Sequence, residues 1–332
     1  MAELIDSYNR RIDYLRLSVT DHCNYRCFYC RTKAGDRVAG NHDFLSFEEM
    51  TRLVRLFTEL GVSRLRLTGG EPLVRRHLVD FVGQLEKLPG LADISLSTNG
   101  HLLERFAAPL KAAGVSRVNI SLDSIDADNF RRITRNGELQ QVSRGIDAAL
   151  AAGMAPVKIN MVVMRGVNDH EIESMLDYVL ERGLELRFIE TMPVGEAGRR
   201  VMDLHYPAAQ ILQRVRERFA TQLVPVKGGR GAGPARYYQL ANGPARVGVI
   251  SAVSRHFCEG CNRVRLTAEG ELVLCLGHEN RVSLREPLRA GCGDDEIMQL
   301  IRTAIASKPA RHDFLRRDKS HIPLSSMTSL GG

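Results

Sequence analysis

Tryptophan is absent from this chain, and only 6% of its residues are aromatic. Single strands of nucleic acid are gripped by bases stacked on aromatics beside cations, so this scarcity speaks against that kind of partner. Basic residues come in pairs such as Arg75-Arg76 and Arg131-Arg132 and form no long tract, which points the same way. Also missing is any apolar run of the roughly 18 residues that a membrane-spanning helix requires. The opening MAELIDSYNRRIDYLRL is charged throughout and has no apolar stretch of the kind a secretory signal carries. These gaps predict a cytoplasmic protein with neither membrane nor nucleic acid among its partners.

What is present bounds the rest. With 332 residues, 44% hydrophobic and 26% charged, the chain has the composition of a globular protein. It is long enough for one large α/β core plus an appended module. A net charge of +7 favours an anionic partner, and a phosphorylated small molecule accounts for it as well as nucleic acid does. Seven cysteines in an intracellular chain read as metal ligands or small buried residues before disulfides. Their clustering is the informative feature: Cys23, Cys27 and Cys30, then Cys258, Cys261 and Cys275, with Cys292 alone.

Along the first two thirds, short apolar strands, Gly or Asn turns and amphipathic helices alternate, the pattern of βα units around a parallel sheet. Strands are predicted at Tyr14 to Val19, Arg64 to Leu67, Asp93 to Ser97, Arg117 to Leu122, Val157 to Val163 and Glu185 to Ile189. Ser46 followed by Glu49 is a capping box, and helices stop at Gly61, Gly114, Gly153 and Gly183. After residue 190 the pattern breaks, and Gly and Pro crowd the stretch from Gly228 to Pro234. A hairpin is predicted for Arg263 to Thr267 and Glu271 to Cys275, then a helix from Asp294 to Ala306. The fold expected is an incomplete (β/α)6 TIM-like barrel over residues 1–220, with a C-terminal α+β extension over 221–332. Residues 308–332 are polar and end in Gly331-Gly332, which in isolation reads as a frayed tail.

In Cys23-x3-Cys27-x2-Cys30 three thiols leave one loop after a strand. Three cysteines suit a [4Fe-4S] cluster with one open iron, whereas a structural zinc ion wants four ligands and would have to recruit a distant His or Cys. Cys258-x2-Cys261-x13-Cys275 is a second set of three, and read alone it could also be a zinc site completed by His256 or His278. Arg263 and Arg265 alternate around Val264, so both guanidiniums should face one side, beside the metal and fit for a phosphate or carboxylate.

The sequence CNYRCFYC, with an aromatic before its third cysteine, resembles the signature of the radical S-adenosylmethionine superfamily, and Gly69-Gly70-Glu71-Pro72 matches that superfamily's GGEP. Together with CxxC-NRVRLT and the Gly-Gly end, these motifs resemble the GTP 3′,8-cyclases of molybdenum-cofactor biosynthesis. The resemblance implies two [4Fe-4S] clusters, on Cys23, Cys27 and Cys30 and on Cys258, Cys261 and Cys275. It also implies a 5′-deoxyadenosyl radical that takes the ribose 3′ hydrogen of GTP, so that C3′ couples to guanine C8. By the same matching, S-adenosylmethionine would meet Tyr29, Gly70, Ser121 and Met192. GTP would meet Arg16, Arg66, Ser97, Lys158, Arg263, Val264 and Arg265, and the Gly331-Gly332 tail would assist. An electron donor and a next enzyme, making cyclic pyranopterin monophosphate, are implied partners, and a homodimer is compatible with the reading. The main departures are Arg31, where Met-Pro is usual, and Ser97 in place of Thr. A radical S-adenosylmethionine peptide or sulfatase maturase is the competing enzyme, and a zinc-containing nucleic-acid binder the competing non-enzyme.

Overall fold

The computed structural model describes residues 3–31, 44–220, 222–226, 233–240, 246–314 and 326–331. Six parallel strands form the first part: β1 (Tyr14–Ser18), β2 (Arg64–Thr68), β3 (Asp93–Thr98), β4 (Val115–Ser121), β5 (Val157–Val163) and β6 (Glu185–Glu190). Between them run α1 (Phe47–Glu59), α2 (Leu78–Glu86), α3 (Leu103–Ala112), α4 (Ala127–Thr134), α5 (Leu139–Ala151) and α6 (Ile172–Glu181). Then come α7 (Gly195–Arg200), α8 (Ala208–Phe219), β7 (Leu223–Val226), β8 (Arg236–Leu240) and β9 (Arg246–Ile250). The last third contains β10 (Arg263–Leu266), β11 (Glu271–Val273), β12 (Arg281–Ser283), α9 (Arg285–Arg289), α10 (Asp294–Ala306) and α11 (Met327–Leu330).

All the strands join one sheet, in the order β12-β11-β10-β1-β2-β3-β4-β5-β6-β9-β8-β7. The strands after residue 221 therefore form no separate layer. They continue both edges of the partial barrel: β10 lies parallel to β1 and β9 parallel to β6, each followed outward by antiparallel strands. An edge strand with bare N–H and C=O groups is a site for unwanted pairing, and the extension covers both of them.

The strands alternate strictly. Leu15 and Leu17, Leu65 and Leu67, Ile159 and Met161, and Leu186 and Phe188 are fully buried in the main hydrophobic core, where the helices pack. The intervening positions are Tyr14 and Arg16 on β1, Arg64 and Arg66 on β2, Arg117 and Asn119 on β4, Asn160 on β5 and Arg187 on β6, and these line a central cavity. A parallel strand covered on both faces usually reads as a continuous apolar run. Here the inner face is polar because it surrounds a cavity. The capping box forms as expected, with the Glu49 N–H donating to Ser46 Oγ at 3.1 Å and the Ser46 N–H to Glu49 Oε2 at 2.7 Å. No helix among the described residues is long and apolar enough to cross a membrane.

Candidate active site

The cavity, of about 330 Å³, is lined by both cysteine triads, which approach it from opposite ends of the chain. The first triad sits on the loop after β1, and that loop is braced by the turn after β2. Gly70 N–H donates to Thr20 O at 2.7 Å and Glu71 N–H to His22 O at 2.8 Å. A Cβ on Gly70 would lie 2.2 Å from His22 O, and one on Gly69 would lie 2.4 Å from Thr20 O. The glycine pair is thus required by the close approach of the cysteine loop itself, before any ligand is considered.

Glu71 is fully buried, and its carboxylate accepts from Leu73 N–H (3.0 Å), Thr98 Oγ1 (2.8 Å) and Asn99 N–H (2.7 Å). Burial nevertheless lifts its pKa to about 7. Asn99, held in this way, donates to Asn24 Oδ1 at 2.8 Å and lies 3.9 Å from Cys23 Sγ. Tyr29 donates its hydroxyl to Asp123 Oδ2 at 2.5 Å, and Val162 N–H donates to the other oxygen at 2.8 Å. Burial raises Asp123 to about 6 against those two bonds.

The thiols fit iron–sulfur ligation by their chemistry. Burial, then Glu71, pushes Cys23 up to about 11, and burial, then Cys30, pushes Cys27 well above the usual range. A buried donor set whose members oppose one another's ionisation is one that a cationic centre stabilises. In the second triad burial raises Cys258 and Cys275. Burial also works against Cys261, yet Lys308 and Arg263 bring that thiol down. Among the described residues no three His, Cys, Asp or Glu side chains are gathered as a single-ion site. A cubane sets each thiolate on its own iron, so its ligands do not converge on one point as those of a mononuclear site do.

The same cavity carries a row of cations. In register, Arg265 on β10, Arg16 on β1 and Arg66 on β2 lie side by side. Val264 is buried in the core and also borders the cavity. Arg66 donates to the Tyr14 hydroxyl and lies 3.4 Å from Ser97 Oγ. Arg263 lies over the rings of Tyr14 and Phe257, at 5.9 and 5.7 Å. Burial, then Arg265, takes Arg16 well below an ordinary guanidinium, and burial, then Arg263, takes Arg265 to about 10. Elsewhere in the wall Arg64 and Arg117 are paired, with Asp13 and Asp93. Arg66 and Arg265 are instead held by hydroxyls and backbone carbonyls. Guanidiniums crowded together at one cavity wall favour an anion beside them.

Two expectations are sharpened. Lys158 stands behind the cavity wall, its ammonium 2.6 Å from Glu185 and 3.4 Å from the Tyr237 hydroxyl; at that point the described lining is Asn160 and Arg187. The segment Ser326–Gly331 is no frayed end. Leu330 is buried, and Gly331 O accepts from Arg16 at 3.0 Å and from Arg265 at 2.7 Å. Gly332 lies outside the described residues, as do Gly228, Gly229 and Gly231 of the glycine-rich stretch. Gly70, Ser121 and Met192 line the cavity. Arg187, Asn160, Asp123, Lys308 and His312 also line it and were not singled out beforehand, although polar residues alternating within apolar strands mark the first two. His256 lies edge-on to His312 at 5.9 Å, and His278 Nε2 donates to Arg311 O at 2.8 Å.

The model of the radical SAM superfamily matches residues 17–179, and that described as Molybdenum Cofactor Synthesis C matches 184–314. Fold and site together define a radical S-adenosylmethionine enzyme, a class that uses S-adenosylmethionine and an iron–sulfur cluster. The GTP 3′,8-cyclase of Hydrogenovibrio crunogenus is 51% identical over 330 residues, 99% of each chain. GTP 3′,8-cyclase 1 of Pseudomonas aeruginosa is 46% identical over 334 residues, covering 100% of both. This chain belongs to the GTP 3′,8-cyclase family. Among solved structures, Streptococcus suis SuiB bound to its precursor peptide SuiA shares the fold, with a TM-score of 0.64 at 12% identity over 97% of this chain and 77% of that one.

Proposed function

We propose that this chain couples ribose C3′ of GTP to guanine C8, with the triphosphate on the arginine layer in the cavity that both thiol triads line. The observation that carries the reading is that layer: Arg16, Arg66, Arg263 and Arg265 line one cavity with both triads. A triphosphate brings about four negative charges, and burying it calls for several cationic donors from different strands. When bound at Cys23, Cys27 and Cys30, a [4Fe-4S] cluster would supply the electron that cleaves S-adenosylmethionine and so provide the radical. A second cluster would sit on Cys258, Cys261 and Cys275.

The residues divide the remaining work. Gly70 brings the turn after β2 against the cysteine loop, and Asp123 fixes Tyr29 over it, so S-adenosylmethionine meets a rigid wall that also includes Ser121 and Met192. Arg66 orients Ser97 toward the nucleotide. Lys158 acts from behind, holding Tyr237, which accepts from Arg187 at 2.6 Å. An external electron donor, a cytoplasmic setting and a following enzyme that consumes the cyclic product complete the reading.

One hydrogen atom leaves C3′, and one electron and one proton return, so the product is an isomer of GTP. The test is anaerobic incubation of reconstituted protein with 3′-deuterated GTP, S-adenosylmethionine and dithionite. Expected are deuterium in 5′-deoxyadenosine and a chromatographically distinct isomer of GTP. Deoxyadenosine free of deuterium, with GTP unchanged, would overturn the proposal.

A further inference from the structure

Lys308 is an ammonium buried where little accounts for it. It is 2% exposed, lies just past the end of α10 and lines the cavity. Its Nζ donates to Leu274 O, the carbonyl next to Cys275, and not to the helix-end carbonyls that commonly take a lysine there. No carboxylate pairs with it in the ion pairs found among the described residues. It lines the same cavity as all three thiols of the second triad.

The segment carrying it is clamped in place from the other end of the chain. Arg10 donates to Pro309 O (2.7 Å), Ala310 O (2.8 Å) and Cys258 O (2.9 Å), and is itself fixed by Asp6 at 2.6 Å. One guanidinium therefore ties the lysine's segment to the first cysteine of the triad. A buried cation without a carboxylate is strongly disfavoured unless an anion stands beside it. Three thiolates around a [4Fe-4S] core carry one net negative charge when oxidised and two when reduced.

We propose that Lys308 is the counter-ion of the second triad's cluster, holding its reduced state at a higher potential than the thiol set would give alone. This rests on the reading of that triad as a [4Fe-4S] site. The step concerned takes one electron from an external one-electron donor, converting the 2+ core to the 1+ core, with no bond made or broken. Lys308 is a positioning residue in this scheme, because it acts through the cluster.

The test uses the full chain with Cys23, Cys27 and Cys30 all changed to Ala, so that only the second triad can bind iron. Lys308→Met and Lys308→Arg are compared with this parent by iron and sulfide content and by a dithionite titration followed by electron paramagnetic resonance. Lys308→Met should keep about four irons per chain and lower the midpoint, favouring oxidation tenfold or more, about 59 mV for one electron; Lys308→Arg should stay near the parent. If Lys308→Met stays folded by circular dichroism but assembles no cluster, while Lys308→Arg does, the counter-ion role is equally supported. An unchanged midpoint in Lys308→Met, or loss of the cluster in both variants, overturns it. A parent holding no iron and sulfide would overturn the reading of the triad itself, a separate outcome.

Discussion

At the scale of single residues, the turn after β2 carries the sharpest demands. Gly70→Ala would drive a methyl group into His22 O and Asp21 O, which are backbone atoms of the cysteine loop and cannot swing aside as a side chain can. Overpacking of this kind costs about 1–3 kcal/mol or more, and here the strain falls on the loop bearing Cys23. We expect iron content to fall from about eight to about four per chain, with S-adenosylmethionine cleavage lost; full iron and normal cleavage would show that the loop can yield. Glu71 gives a pH signature. Its proton is held up to about pH 7 in the folded chain but only to about 4.3 when unfolded. Its contribution to stability is therefore complete below the unfolded value and is lost as pH rises through 7, at ~1.4 kcal/mol per unit of separation. Denaturation midpoints of Glu71→Gln measured anaerobically should decline less between about pH 5 and 7 than those of the parent chain.

At the scale of elements, β10 shows what the sequence makes readable. Arg263-Val264-Arg265 announces its alternation from the sequence alone, and the structure buries Val264 in the core while all three residues border the cavity. The six barrel strands and α10 were legible for the same reason, since period and punctuation are local properties. The pairing of β10 with β1 and of β9 with β6 was not legible, because nothing in a strand's own residues names a partner roughly 60 or 250 positions away. Nor was the placement of Ser326–Gly331, whose polar composition reads as a loose end until Arg16 and Arg265 are seen on the Gly331 carbonyl. Gly331 has φ +70°, and a Cβ there would lie 2.6 Å from Thr68 Cγ2. Removing Gly331 and Gly332 should therefore leave both clusters assembled, by iron content, while cyclisation falls steeply. Undiminished product from the shortened chain would show that the segment only fills space.

Across the whole molecule, the two thiol triads line one cavity, and the roles proposed for them can be separated. Changing Cys258, Cys261 and Cys275 together to Ala should preserve reductive cleavage of S-adenosylmethionine and abolish the cyclic product. The matching change at Cys23, Cys27 and Cys30 should remove both activities. Iron and sulfide analysis of each variant, about four of each against about eight in the parent, checks that one centre survives without the other. Loss of cleavage in the first variant despite an intact first cluster would show that the centres do not act independently.

The Arg10 clamp has a consequence for how the protein is made. Its partner Cys258 follows 248 residues later, and β1, the first of the described strands, has β10 on one side. Domains acquire structure from the N-terminus during synthesis at about 5–20 residues per second, but here the first strand waits for nearly the whole chain before both its flanks are paired. The first cysteine loop is thus translated early and enclosed late. That leaves an interval of some tens of seconds in which Cys23, Cys27 and Cys30 are open to whatever delivers iron, before the second triad closes over the same cavity.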